Sequence, residues 1–259
     1  MMERMAQRSL HAGARILTAR RLEVEVQGLH HLPPTGPVLI AARHVHHLYD
    51  GCVLLAAAPR PLHLLVALDW AETRRTRRLM EWACATARWP VILRPERLRA
   101  PYVRSAYRPE ESVGYLRRAT HEAVALLCTG HALVVFPEAY PNVDPVFTPK
   151  PNDEAFLPFR PGFVRLVARA QRDGHTCVPI VPAGLTYRRG QRWRVGLRFG
   201  PPLLLAAGTD RADLVALVRE VEAQVRVLSA PAPCRRTPAL WGQDAAPAPG
   251  VHRGPAGGR

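Results

Sequence analysis

No Cys-x-x-Cys pair occurs in this sequence. Its five cysteines, Cys52, Cys84, Cys128, Cys177 and Cys234, are scattered singly, odd in number, and three of them fall inside apolar segments. That distribution argues against a zinc framework or a disulfide scaffold and fits buried, reduced thiols in a cytosolic protein. Long apolar runs are missing as well. No stretch reaches the roughly 18–20 uninterrupted apolar residues that a spanning helix needs. The best candidate, Cys52 to Trp70, is broken by Pro59-Arg60-Pro61 and holds Asp69. Arg4, Arg8 and Arg15 interrupt the N-terminal apolar residues, so the start of the sequence lacks a signal-peptide shape. The expected location is cytoplasmic, with membrane contact confined to the surface. A Gly-x-Ser-x-Gly turn is absent, which counts against a serine hydrolase. Zinc spacing, a helix-turn-helix signature and an aromatic RNA-binding motif are absent too, so nucleic-acid binding has only charge in its favour. No internal repeat is found.

Lysine is nearly absent. Of 36 basic residues only Lys150 is a lysine, in a chain of formal net charge +15. Guanidinium groups bind phosphate bidentately. A surface so rich in them favours anionic lipid, nucleic acid, coenzyme A phosphates or an acidic carrier protein. With 259 residues, one α/β domain with a tail is the economical organisation.

Hydrophobic periodicity orders the chain. Residues 1–20 read as an amphipathic helix, packed on the domain or lying on a lipid interface. Residues 21–229 form the body. Strands are expected at Leu22 to Val26, Val38 to Ala42, Leu62 to Leu68, Trp89 to Arg94, Leu133 to Phe136, Thr176 to Ala183 and Arg192 to Phe199. Helices are expected at Asp50 to Ala58, Thr73 to Ala87, Glu110 to Cys128, Phe163 to Arg172 and Asp210 to Leu228. Residues 95–109 and Asn142 to Pro158, rich in proline, read as surface loops, the second placed to run over the site. Residues 230–259, of Ala, Pro and Gly, have little to bury and are expected to be disordered. Alternating strands and helices argue for an α/β fold with a mostly parallel or mixed central sheet flanked by helices.

The chemistry concentrates at two strand ends. The apolar strand Val38 to Ala42 delivers Arg43 and His44, and Asp50-Gly51 follows six residues beyond that histidine. A neutral imidazole suits removal of an alcohol proton near pH 7, and a neighbouring carboxylate fixes its tautomer and stabilises the imidazolium. The strand register selects His44 as the base. Counting back from Asp50 selects His46 instead, four residues away and able to share a helical face with it. His47 reads as a supporting or surface group. Three histidines and an aspartate also raise a metal site, but His-x-His-His matches no metal-ligand spacing, and no metal is expected. A polar helix start with incidental histidines is the remaining alternative. The second strand end is Val134-Val135-Phe136-Pro137-Glu138, which brings a carboxylate to the same rim.

Together these segments resemble the glycerolipid acyltransferase family, which includes the lysophosphatidate acyltransferases. In that family a histidine and an aspartate separated by four residues follow an apolar strand; here five residues, one more, separate His44 from Asp50. The family's Phe-Pro-Glu-Gly-Thr-Arg is truncated to Phe136-Pro137-Glu138-Ala139-Tyr140-Pro141, without its arginine. Gly28 to Pro33, Arg94 after its strand, Phe159-Arg160-Pro161-Gly162, Val178-Pro179-Ile180-Val181-Pro182 and Phe199-Gly200-Pro201-Pro202-Leu203 resemble further segments, in order, over roughly residues 20–228. The resemblance implies helices on a mixed sheet and O-acyl transfer in phospholipid synthesis. The donor would be acyl-coenzyme A or acyl carrier protein, the acceptor a lysophosphatidate or other lysolipid at a membrane surface, with no cofactor. It implies His44 as base and Asp50 as its orienter, with Glu138, Arg94 and Arg160 binding substrate. The same site with water in place of the alcohol would be a thioesterase, and the displaced histidine and missing arginine leave room for an inactive lipid-binding relative.

Overall fold

Val38-Leu39-Ile40-Ala41-Ala42 is apolar at every position, a pattern suited to a strand covered on both faces, and all five residues are buried. The computed structural model describes residues 2–230 apart from 102, 145–146, 153–154 and 207. The expected tail lies outside the described residues from 231 onward. In chain order the elements are α1 (Met2–Arg21), β1 (Leu22–Gln27), β2 (Val38–Ala42), α2 (Tyr49–Ala57), β3 (Leu62–Leu64), β4 (Val66–Ala67), α3 (Arg74–Ala87), β5 (Val91–Ile92), α4 (Pro95–Leu98), α5 (Glu111–Cys128), β6 (Ala132–Val135), α6 (Gly162–Gly174), β7 (Ile180–Arg188), β8 (Trp193–Phe199) and α7 (Arg211–Leu228).

The main sheet has six strands in the order β1-β8-β7-β2-β6-β3. Strand β2 pairs in parallel with β6 and β7, and β3 pairs in parallel with β6. Only β8 runs antiparallel to its neighbour β7, and β1 then follows β8 in parallel. The sheet is therefore mixed, with a parallel centre, and helices cover both faces. Side chains alternate across β2, as strand geometry requires. Val38, Ile40 and Ala42 join the core beneath α1 and α2, while Leu39 and Ala41 join the core beneath α5, α6 and α7. Helix α1 is held on the domain by Ala14, which is buried, and by Gln7, whose side-chain amide donates to Ala87 O at 3.1 Å.

Four expectations change. Leu62 to Leu68 splits into two strands. Partner β6 has four residues and pairs only with Leu62–Leu64, so the next residues turn to β5 and build a separate two-stranded ribbon. Residues 95–109 are not simply a surface loop: Pro95 opens the short helix α4, a position where its missing N–H costs nothing, and Arg97 and Tyr107 are buried. The segment from Asn142 also runs inward, with Asn142 and Lys150 buried. Strand β7 starts and ends later than expected, because its hairpin with β8 pairs Ala183 through Arg188. Gly184 lets α7 end against β7, since a Cβ there would lie 2.4 Å from the Leu228 carbonyl carbon. That close approach brings Ser229 and Ala230 to the C-terminal end of the sheet.

Candidate active site

In sheets with parallel strands, sites form outside the C-terminal strand ends, and β2 ends here at Ala42. Arg43 N still bonds Ala183 O at 2.9 Å. His44 follows on the α2 side, continuing the alternation of β2, and meets the first turn of α2. His44 Nδ1 lies 2.9 Å from Asp50 Oδ2. The imidazole stacks on Phe136 from the end of β6, centroids 4.3 Å apart. Its side chain keeps 15 % exposure, whereas the Asp50 side chain has none. The aspartate is thus sealed behind the histidine, and the ring edge faces outward.

A buried carboxylate needs donors, and Asp50 has four. Besides the imidazole, the amides of Val45 and His46 donate to Oδ2 at 2.6 and 2.9 Å, and the Tyr187 hydroxyl donates to Oδ1 at 2.7 Å. The extra residue between His44 and Asp50 is absorbed here: two successive amides wrap the same oxygen. Burial, and then the Asp50 charge, push the Tyr187 phenol well above its ordinary pKa, so it stays a donor. Replacing Tyr187 with Phe is expected to leave the fold and slow turnover about tenfold, the scale of one lost hydrogen bond to a charged group. A variant with wild-type kcat would show that this fourth donor does not help orient Asp50.

The other histidines turn elsewhere. His46 Nδ1 accepts from the amides of Leu48 and Tyr49 at 3.2 and 3.4 Å, closing the start of α2. Burial and the neighbouring His47 lower its pKa below the usual histidine value. His47 Nδ1 lies 3.2 Å from Val143 O. Among the described residues, no three His, Cys, Asp or Glu side chains are grouped to hold a metal ion.

Glu138 sits beneath His44 rather than in the open cleft. Its Oε1 accepts from His44 N at 2.9 Å and its Oε2 from Leu157 N at 3.1 Å, and the residue is buried. Lys150 Nζ lies 2.6 Å from Glu138 Oε2, 2.8 Å from His44 O and 3.0 Å from Asn142 Oδ1. The ion pair therefore holds both the N–H and the C=O of His44. Three acceptors match the three protons of an ammonium, which explains a lysine at this one position of an arginine-rich chain.

Arg94 is likewise committed inside the protein. Its Nε and Nη2 bind the two oxygens of Asp69 at 2.7 and 2.6 Å, and Nη1 donates to Ala139 O at 2.7 Å. Ala139 has φ 65°, in the left-handed region, where the resembled family places glycine. For a residue with a Cβ this conformation costs about 1–2 kcal/mol, and the bond from Arg94 holds it in place. Arg160 lies at the outer rim, half-exposed, and pairs with Glu96.

His44 and Asp50 thus meet directly, Glu138 supports them from behind, and Arg94 acts on the same turn through Ala139. His46 joins the pair only through its backbone amide, its Nδ1 being taken by the α2 amides, and Arg160 stands apart at the rim. Lys150, Asp69 and Tyr187 were missed from the sequence. The solitary lysine was a signal available there; Tyr187 was hidden because the strand carrying it was expected to end at Ala183.

Residues 23–186 match the family model described as Acyltransferase. No curated protein matches the sequence. Among solved structures, the fold is similar to the 1-acyl-sn-glycerophosphate (LPA) acyltransferase PlsC from Thermotoga maritima. The TM-score is 0.57 at 16 % identity, over 87 % of this chain and 78 % of that one.

Proposed function

The chain belongs to the Acyltransferase family, and from that premise we propose that it is a glycerolipid acyltransferase, which moves an acyl chain from a thioester to the free hydroxyl of a lysophosphatidate or other lysophospholipid, in phospholipid synthesis. The observation that carries this reading is the His44–Asp50 contact, with Asp50 sealed and the ring accessible. Nδ1–H donates to Asp50, which leaves Nε2 to take the acceptor's proton. The oxygen attacks the thioester carbonyl, the new C–O bond forms, and collapse breaks the C–S bond. The thiolate of coenzyme A or of an acyl carrier protein leaves and recovers the proton from the imidazolium. His46 is the weaker alternative, since its Nδ1 is occupied by α2 amides and burial lowers its basicity. Glu138 and Arg94 position the catalytic turn, and Arg160 is the member of the expected substrate set with an exposed guanidinium.

Work at a membrane surface is supported by an apolar and cationic face. Helices α3 and α5 are joined by Arg77 to Glu111 and by Tyr115 to Glu81. They expose Leu79 and Trp82, and Val113 and Leu116, beside Arg75, Arg78, Arg117 and Arg118. No described helix is long and apolar enough to cross a membrane.

Incubation with labelled acyl-coenzyme A or acyl carrier protein and a panel of lysolipids tests the reading. Labelled diacyl product that depends on acceptor is expected. Release of free fatty acid at a rate indifferent to acceptor would make the protein a thioesterase.

A further inference from the structure

A cavity of about 350 Å³ lies against the peptide that carries His44: Arg43, Val45 and His46 line it, and His44 does not. Strand alternation explains the division, because Arg43 points to the α7 side while His44 faces α2. The cavity wall is cationic. Arg43, Arg188 and Arg226 contribute to it, and no carboxylate does among the described residues. Phe156 is held between two of these groups, its ring centroid 4.1 Å from the Arg43 guanidinium carbon and 4.6 Å from that of Arg226. Such stacking fixes the guanidinium planes. Arg226 shares its charge with Glu222 at 2.7 Å, while Arg188 is exposed at the mouth.

Ser229 supplies an independent sign. It lines the cavity and is buried, yet its hydroxyl has no hydrogen-bond partner among the described residues. Buried hydroxyls are ordinarily satisfied, so this one is suited to a ligand oxygen. The end of α7 does not oppose an anion strongly, because Arg198 donates to the carbonyls of Leu228 and Ala230 at 3.3 and 2.8 Å. Size narrows the ligand. Small-molecule sites span about 300–1,000 Å³, and this cavity lies at the small end, large enough for a glycerophosphate head.

We propose that this cavity binds the phosphate monoester of the acyl acceptor, through Arg188, Arg226 and Ser229, in the role of the arginine missing after Glu138. The bound head would lie along residues 43–46, which presents the rest of the acceptor to His44. It would also touch Tyr187, which lines the cavity and bonds Asp50.

The proposal rests on the acyl-transfer reading above, and its test separates the two. Steady-state kinetics with lysophosphatidate and with monoacylglycerol are compared for wild type, Arg188→Gln/Arg226→Gln and Arg188→Lys/Arg226→Lys, with melting curves to check folding. The Gln pair is expected to raise KM for lysophosphatidate about 10- to 100-fold, the scale of losing charged hydrogen bonds. KM for monoacylglycerol should stay unchanged, and the Lys pair should recover part of the loss. Equal lysophosphatidate KM in all three proteins overturns the proposal. Inorganic phosphate should compete with lysophosphatidate; inhibition without competition would mark a free-anion site and also overturn it. Calorimetric titration of glycerol 3-phosphate decides the matter even if wild type acylates no acceptor. Binding lost in the Gln pair supports the site, and binding equal to wild type, or none to wild type, refutes it.

Discussion

Alanine in place of His44 is expected to lower acyl transfer by about 10²–10⁴-fold, the contribution of a positioned general base, while the protein stays folded. The fold should survive because the ring is not what holds this turn. The His44 peptide is gripped by Glu138 and Lys150 through its N–H and C=O. Asp50 would keep three of its four donors, the amides of Val45 and His46 and the Tyr187 hydroxyl. Loss of turnover with unchanged circular dichroism is the expected pair of results. Undiminished turnover would pass the role to His46, which lines the neighbouring cavity.

The second large effect concerns stability. Replacing Lys150 with Met would leave the Glu138 carboxylate buried without its cation, at a cost of about 3–5 kcal/mol. For a domain of this size each kcal/mol corresponds to about 2–4 °C, so melting should fall by roughly 6–20 °C. Activity should fall with it, because the same ammonium orders the backbone of His44. The double replacement Glu138→Gln/Lys150→Met removes both charges and should recover part of the loss. Lys150→Arg should not rescue fully, since a planar fork does not meet three acceptors arranged around one nitrogen. A single variant melting with wild type would show that the buried pair is not what holds the site.

The parallel centre of the sheet was legible because strands alternate with helices along the chain, and the structure adds that the continuous apolar runs of β2 and β6 are buried on both faces. The meeting of His44 with Asp50 was legible from a strand register followed by an acid at a helix start. Choosing between His44 and His46 was not, because it depends on which ring turns toward the carboxylate. In the structure the His44 ring lies against Asp50, while the Leu48 and Tyr49 amides occupy His46 Nδ1. The burial of Glu138 and Arg94 was also invisible, since their partners Lys150 and Asp69 come from segments read as a loop and as an interruption of an apolar run. Charge pairs across long sequence separations leave no periodicity to read. Ala139 illustrates the same limit: its substitution for glycine was visible, but the left-handed backbone it retains, and the bond from Arg94 to it, needed coordinates.

The central claim is that the imidazole of His44, aligned by a sealed aspartate, takes a proton from a lipid alcohol. Single-turnover kinetics test it most directly, because they separate the chemical step from substrate binding and product release. With acyl donor and lysolipid bound to excess enzyme, His44→Ala should show a chemical step slowed about 10²–10⁴-fold, with acceptor affinity as in wild type. A chemical step at the wild-type rate in that variant would contradict the account.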